Sequence, residues 1–147
     1  MNPADLTQRP PRSPRVRLGG FAILARLLDK GRATIAGTNG EYNYDCPLDQ
    51  RFFSFMGVDP EALKEQLVQG RGDGEILAWV HEHAQNKPSE FAIDAWSRFA
   101  EARVPSDIER RTYVSELHAK IAPARQDIGT FFDLLDLDDY VSFGGKP

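Results

Sequence analysis

The sequence predicts an all-α protein: a single compact domain of six or seven helices behind an extended, Pro/Arg-rich N-terminal arm. Three observations carry this. The 147 residues amount to about one ordinary domain. Apolar residues recur at three- and four-residue steps along most of the chain. The intervals between these stripes are short and end on glycine, on proline or on a side chain suited to a helix cap. We place the arm at 1–17 and the helical domain at 18–147.

Residues 1–17 contain Pro3, Pro10, Pro11 and Pro14 and few apolar groups, a composition for extended and partly polyproline II backbone. From Leu18 the pattern changes. Leu18, Phe21, Leu24, Leu28 and Ile35, widened by Ile23 and Leu27, predict a helix over 18–36, with Gly37 as its left-handed terminator. Asn39-Gly40 between ATIAGT and EYNYD also fits a type I′ hairpin, so 33–44 reads either as a helix end or as a hairpin; we favour the helix. Cys46-Pro47 then opens a helix through Phe52, Phe53, Phe55 and Met56 to Gly57, with cysteine at the N-cap and proline at the first helical position. Asp59-Pro60 repeats the device, with Leu63, Leu67 and Val68 inward. Asp73 is expected to cap the next helix, which buries Ile76, Leu77, Val80 and Ala84. Ser89-Glu90 opens a fifth, whose stripe is Phe91, Ala92, Ala95, Trp96 and Phe99. Pro105-Ser106 opens a sixth, with Ile108, Val114, Leu117 and Ile121 inward, and Ile128, Phe131, Phe132 and Leu135 define the last. EILAWV and AIDAWS look alike, but two similar helices fall short of a repeat array.

The stretches DLTQRPPRSPRVRLGG, DKGRATIAG, GEYNYDCPLD and GDGEILAWV resemble a bacterial family of short proteins, the domain of unknown function numbered 5069. The likeness runs from about Asp5 to Phe143, and Gly-Glu-Tyr…Cys-Pro-Leu-Asp is its most specific part. It implies a bacterial, single-domain protein and supplies no reaction, ligand or catalytic residue. Gly31, between Lys30 and Arg32, implies local loosening of the first helix.

With 41% apolar and 27% charged residues, the composition is that of a soluble globular chain. The longest apolar run, FAILA, is far short of the ~18 residues a membrane span needs. A lone cysteine and the lack of a secretory h-region at the start point to the cytoplasm. Net charge is −4 but unevenly placed: Arg9, Arg12, Arg15, Arg17, Arg26, Lys30 and Arg32 crowd the first 32 residues, and DIGTFFDLLDLDDY carries five aspartates. The basic arm lying across that acidic tail, in the same chain or in a second copy, accounts for this better than nucleic acid does, given a pI near 5.4.

Cys46 is the one thiol. A helix N-terminus stabilises thiolate, but Asp45 and Asp49 oppose it and no histidine is near in sequence, so a structural cap is the first reading and a nucleophile or redox thiol the second. His81 and His83 point about 200° apart on a helix and cannot share an ion, so no metal site is expected, and no cofactor. GRGDGE lacks the Gly-Lys-Ser/Thr of a phosphate loop. DLLDLDDY lacks the glycine and closing glutamate of an EF-hand and reads as a solvated acidic face. The most informative set is Lys30 and Arg32 with Tyr42, Tyr44 and Asp49, which could line a polar pocket or tie the first helix to the second. Within it, Arg32 is expected to pair with Asp49, failing that with Asp45 or Glu41. The resulting reading is a non-enzymatic binding or regulatory domain for a protein partner or small polar ligand, with a homo-oligomer open; the alternative is a small enzyme or redox protein using Cys46.

Overall fold

A computed structural model describes residues 2–105 and 107–147. Its regular structure consists of α1 (Leu24–Ala36), α2 (Pro47–Met56), α3 (Pro60–Val68), α4 (Asp73–His83), α5 (Glu90–Ala102), α6 (Ile108–Ile121) and α7 (Phe131–Ser142), with no strand among the described residues. The protein is an all-α single domain. None of its helices is long and apolar enough to cross a membrane.

The caps are mostly local chemistry. Cys46 and Pro47 sit at the N-cap and first position of α2, and Asp59 and Ser89 accept the backbone N–H groups of Ala62 and Ala92. Gly37 ends α1 in the left-handed region, φ 74°, donating to Thr34, while Thr38 donates back to Ala33. The hairpin alternative over 33–44 is therefore excluded. Gly72, not Asp73, is the N-cap of α4, and Glu75 accepts the Gly72 N–H. Asp73 becomes the first helical residue, with its carboxylate available for other work. Ser106 lies outside the described residues; the α6 cap is Asp107, whose Oδ1 accepts from the Arg110 N–H at 2.8 Å.

α1 begins six residues later than the periodicity predicts. Gly19 and Gly20 take φ of 59° and 85°, Leu18 and Phe21 exchange backbone hydrogen bonds, and Ile23 is forced to φ 73°. A β-branched residue tolerates that region only when its surroundings over-determine it. Here the Ile23 N–H donates to Pro14 O at 2.9 Å, its side chain is fully buried, and Ser97 Oγ accepts from Ala22 N–H while donating to Gly20 O. At Gly19 even a Cβ would collide with the Leu77 side chain at 2.5 Å.

One core joins Phe21, Leu24, Leu27 and Leu28 to Phe52, Met56, Leu63, Leu67, Ile76 and Val80; a smaller one joins Ala22, Ile23, Ala100 and Phe132. Phe21 packs edge-on against Phe52, and Phe55 stacks on Trp96 with centroids 5.0 Å apart. Gly31 does not loosen α1. It lets the Tyr44 ring and Leu67 approach so closely that a Cβ would meet Leu67 Cδ1 at 2.6 Å.

Several faces are rotated from expectation. On α5 the buried residues are Ile93, Ser97 and Ala100, while Phe91 and Phe99 are 83% and 65% exposed. Ile35 and Val68 also face outward, and α6 buries nothing completely, with Ile108 out in solvent. In α7 the buried positions are Phe132, Leu134, Leu137 and Asp139, and Ile128 precedes the helix. The arm crosses the helical surface with turns at Asp5–Arg9 and Ser13–Val16, its Leu6 buried and its Leu6 N–H bonded to Thr38 O.

Candidate functional site

Five of the six residues singled out in the sequence fall into three clusters, and Tyr44 stands apart from them. In the first, the Lys30 ammonium lies 2.9 Å from Asp49 Oδ1 and 3.2 Å from Cys46 Sγ, with Asp49 fully buried and its Oδ2 accepting the Asp45 N–H. α1 supplies the lysine and the first turn of α2 supplies the carboxylate and the thiol. Burial pushes the Asp49 carboxyl above its ordinary range, against the opposing charge and hydrogen bond of Lys30. Asp49 thus belongs to Lys30 and not to Arg32.

Arg32 forms the second cluster. Its guanidinium donates to Asp73 Oδ1 at 2.8 Å and to Arg71 O at 3.1 Å. The same Asp73 receives Arg12 from the arm at 2.8 Å, and Arg12 also holds Asp29. Neither Asp45 nor Glu41 takes part. Burial pushes the Asp73 carboxyl up, but hydrogen bonds and charge from Arg12 and Arg32 outweigh it and hold the group below its usual value.

The third cluster surrounds a residue the sequence reading treated as solvated. Asp139 is buried, accepts two bonds from Arg26 at 2.7 and 3.3 Å, and accepts the Tyr42 hydroxyl at 2.7 Å. The Arg26 guanidinium also lies over the Tyr42 ring, 5.4 Å from its centroid. Tyr44, in contrast, donates to Pro60 O at 2.7 Å. Burial raises both phenols, with Asp139 reinforcing it at Tyr42 and Asp49 at Tyr44. The acidic tail is not a solvated face: Arg15 pairs with Asp133 and Asp136, and Ser13 donates to Asp136.

Lys30, Tyr42 and Cys46 share an open cleft of about 1740 Å³, whereas Arg32, Tyr44 and Asp49 do not line it. Phe55 and Trp96 form part of its apolar side, and Leu117 and Phe131 close it from α6 and α7. Three further arginines line it that no sequence signal marked: Arg51 on α2, Arg103 at the end of α5 and Arg110 on α6. They come from three separate elements, so no local spacing could have grouped them. Arg103 lies over the Phe131 ring at 4.7 Å, and Phe131 N–H bonds to Arg103 O. Among the described residues no cluster of three His, Cys, Asp or Glu groups could hold a metal. The histidines serve elsewhere: His81 packs against Phe21, His83 stacks on Trp79, and His118 meets Arg125 O.

A family described as "Domain of unknown function (DUF5069)" matches residues 8–141. No curated protein matches the chain.

Proposed function

The chain belongs to the DUF5069 family, and from that premise we propose a non-enzymatic binding or regulatory domain of the bacterial cytoplasm. Its binding site is the cleft between α2, α5, α6 and α7, and its ligand is a small polar molecule or a segment of a protein partner. We take 18–147 as the binding domain and 1–17 as the arm that braces it. One observation carries the reading: Lys30, Tyr42 and Cys46 line the cleft with their polar atoms already held by Asp49, Asp139 and Lys30. The wall is thus built by folding and needs no ligand to order it. At about 1740 Å³ the cleft exceeds the usual range of a few hundred to 1,000 Å³ for drug-sized ligands, leaving room for a partner segment as well.

The test is a polar fragment screen followed by amide chemical shifts. Hits should move Tyr42, Cys46, Arg51 and Phe55 together. Hits that cluster elsewhere, or no saturable hit, would defeat the reading.

Cys46 as a nucleophile or redox thiol is the alternative, favoured by the Lys30 ammonium 3.2 Å from Sγ. Against it, none of the three histidines lies on the cleft wall to act as base. Alkylation of Cys46 by iodoacetamide much faster than a free thiol at neutral pH would favour this alternative. A nucleic-acid role is disfavoured because Arg12, Arg15 and Arg17 of the arm are already met by carboxylates. A homo-oligomer through the exposed Phe91 and Phe99 of α5 is tested by sedimentation.

A further inference from the structure

We propose that Arg51, Arg103 and Arg110 together bind the phosphoryl group of a small organic phosphate, a monoester or a diphosphate. This inference rests on the cleft being the binding site and names the chemistry of what it binds.

The starting point is an imbalance. A guanidinium is ionised at every accessible pH, so burying one without a counter-charge cannot be relieved by losing a proton. The molecule observes this elsewhere. Arg26 and Arg32 are buried and paired with Asp139 and Asp73, and half-buried Arg12 and Arg125 are paired with Asp29, Asp73 and Asp127. Arg51 and Arg103 are also half-buried, yet among the described residues neither has a carboxylate within 4 Å. Arg71 shares that condition but does not line the cleft. Among the described residues Arg110 reaches only Asp107, at 3.5 Å, and that carboxylate is already capping α6.

The three do not merely share a wall. Arg51 is one turn before Phe55 on α2, and Arg103 is two turns after Trp96 on α5. Phe55 and Trp96 stack face to face, and both arginines line the same groove as that contact. Mutual repulsion is felt: after burial, the neighbouring Arg110 pushes Arg51 down, and Arg51 and Arg110 push Arg103 down, with Asp107 opposing at Arg103. Arg110 also stands in the first turn of α6, where the helix dipole is unfavourable to a cation. Arg103 is held in place by the Phe131 ring rather than by an acid, which leaves its donor edges for a ligand.

Three planar forks from three elements match a group with several oxygens and more than one negative charge. A phosphoryl group offers this, and a carboxylate presents two oxygens and a single charge. Phe55, Trp96 and Tyr113 line the same cleft and give an organic body an aromatic surface. The acidic groups on that wall argue against a long polyanion. Asp107, Glu109, Glu41 and Asp138 also face the cleft, so nucleic acid would meet repulsion over much of its length.

Phenyl phosphate and inorganic pyrophosphate are the probes, read by thermal melting and by the arginine Nε–H signals in NMR. We expect both to raise the melting temperature saturably and to shift Arg51 and Arg103. Arg51→Gln and Arg103→Gln should each weaken binding at least ten-fold, and Arg17→Gln, outside the cleft lining, should leave it unchanged. Without anion, Arg51→Gln should melt no lower than the parent, because it removes repulsion and breaks no pair. No saturable effect from either probe would overturn the proposal. So would binding unaffected by both variants, benzoate binding as tightly as phenyl phosphate, or an Arg51→Gln protein that melts well below the parent. Failure here with polar fragments still mapping to the cleft refutes the phosphate alone; failure of both refutes the cleft.

Discussion

The two sides of the molecule treat arginine differently. In and beneath the arm, Arg12 and Arg32 lie against Asp29 and Asp73 at 2.8 to 3.0 Å, and Arg26 and Lys30, which reach the cleft from α1, are met in the same way by Asp139 and Asp49. Elsewhere in the cleft, Arg51 and Arg103 line the wall without such partners among the described residues. Arg26, Arg32 and Lys30 are buried and Arg51 and Arg103 only half-buried, but the equally half-buried Arg12 is paired as well, so burial is not the whole of the difference. On the arm side the compensating charge is covalently part of the chain, and the arginines are explained by folding alone. On the cleft side that explanation fails, and this separates candidate function from structure more cleanly than the tyrosine-bearing block does.

The comparison is broken most severely by making an arm-side cation resemble a cleft-side one. Asp139→Ala leaves Arg26 buried and unpaired and strands the Tyr42 hydroxyl. We expect a loss of about 3–5 kcal/mol in urea unfolding, the usual cost of breaking a buried pair from one side. Arg26→Met combined with Asp139→Leu should recover much of it. Asp73→Asn is milder, because the amide still accepts one bond and Asp29 still holds Arg12. A loss of about 2 kcal/mol is expected, together with faster trypsin cleavage after Arg12.

Much of the fold was legible because caps and terminators are local. Cys46-Pro47, Asp59-Pro60, Ser89 and Gly37 announce helix ends through their own geometry. What was lost needed information from a distance. The start of α1 turns on Ile23 at positive φ, which only Pro14 and Ser97 enforce, although Gly19-Gly20 was an available warning. The face of α5 was misjudged because its inward line contains Ser97, a polar residue that is buried by bonding two backbone groups, while Phe91 and Phe99 face out. Arg32 was correctly expected to need an acid, but it comes from Asp73, 41 residues away. Nothing in the sequence could place Arg51, Arg103 and Arg110 together.

Acid sharpens the same contrast with a smaller effect, since a protonated carboxyl still forms hydrogen bonds. The Asp73 carboxyl is held below its unfolded value of 3.8, so its stabilisation is complete above that pH and fades as pH falls through the folded value. Asp49 is raised, so its ionised form is disfavoured on folding, and acid relieves that penalty. Urea titrations between pH 6 and pH 3 should show stability falling below about pH 4. Asp73→Asn should flatten that fall. An unchanged slope in the variant would show that the arm's anchor is not what acid releases.

The smallest effect is a difference of sign. Arg17 is largely exposed and pairs with Asp94 and Glu101. Arg17→Gln removes two favourable contacts and nothing unfavourable, so the protein should become slightly less stable. Arg51→Gln removes a cation that repels Arg103 and breaks no ion pair, so stability should rise, by a few tenths of a kcal/mol given how much solvent screens a half-exposed site. Glutamine preserves most of the stem and its packing in both cases, which leaves charge as the variable. Raising the salt should shrink both changes toward zero, because both arise from charges that solvent reaches. Matched melts at low and high salt decide the matter. If Arg51→Gln destabilises as Arg17→Gln does, and salt does not alter it, Arg51 has a structural partner in solution and the two sides of the molecule are alike.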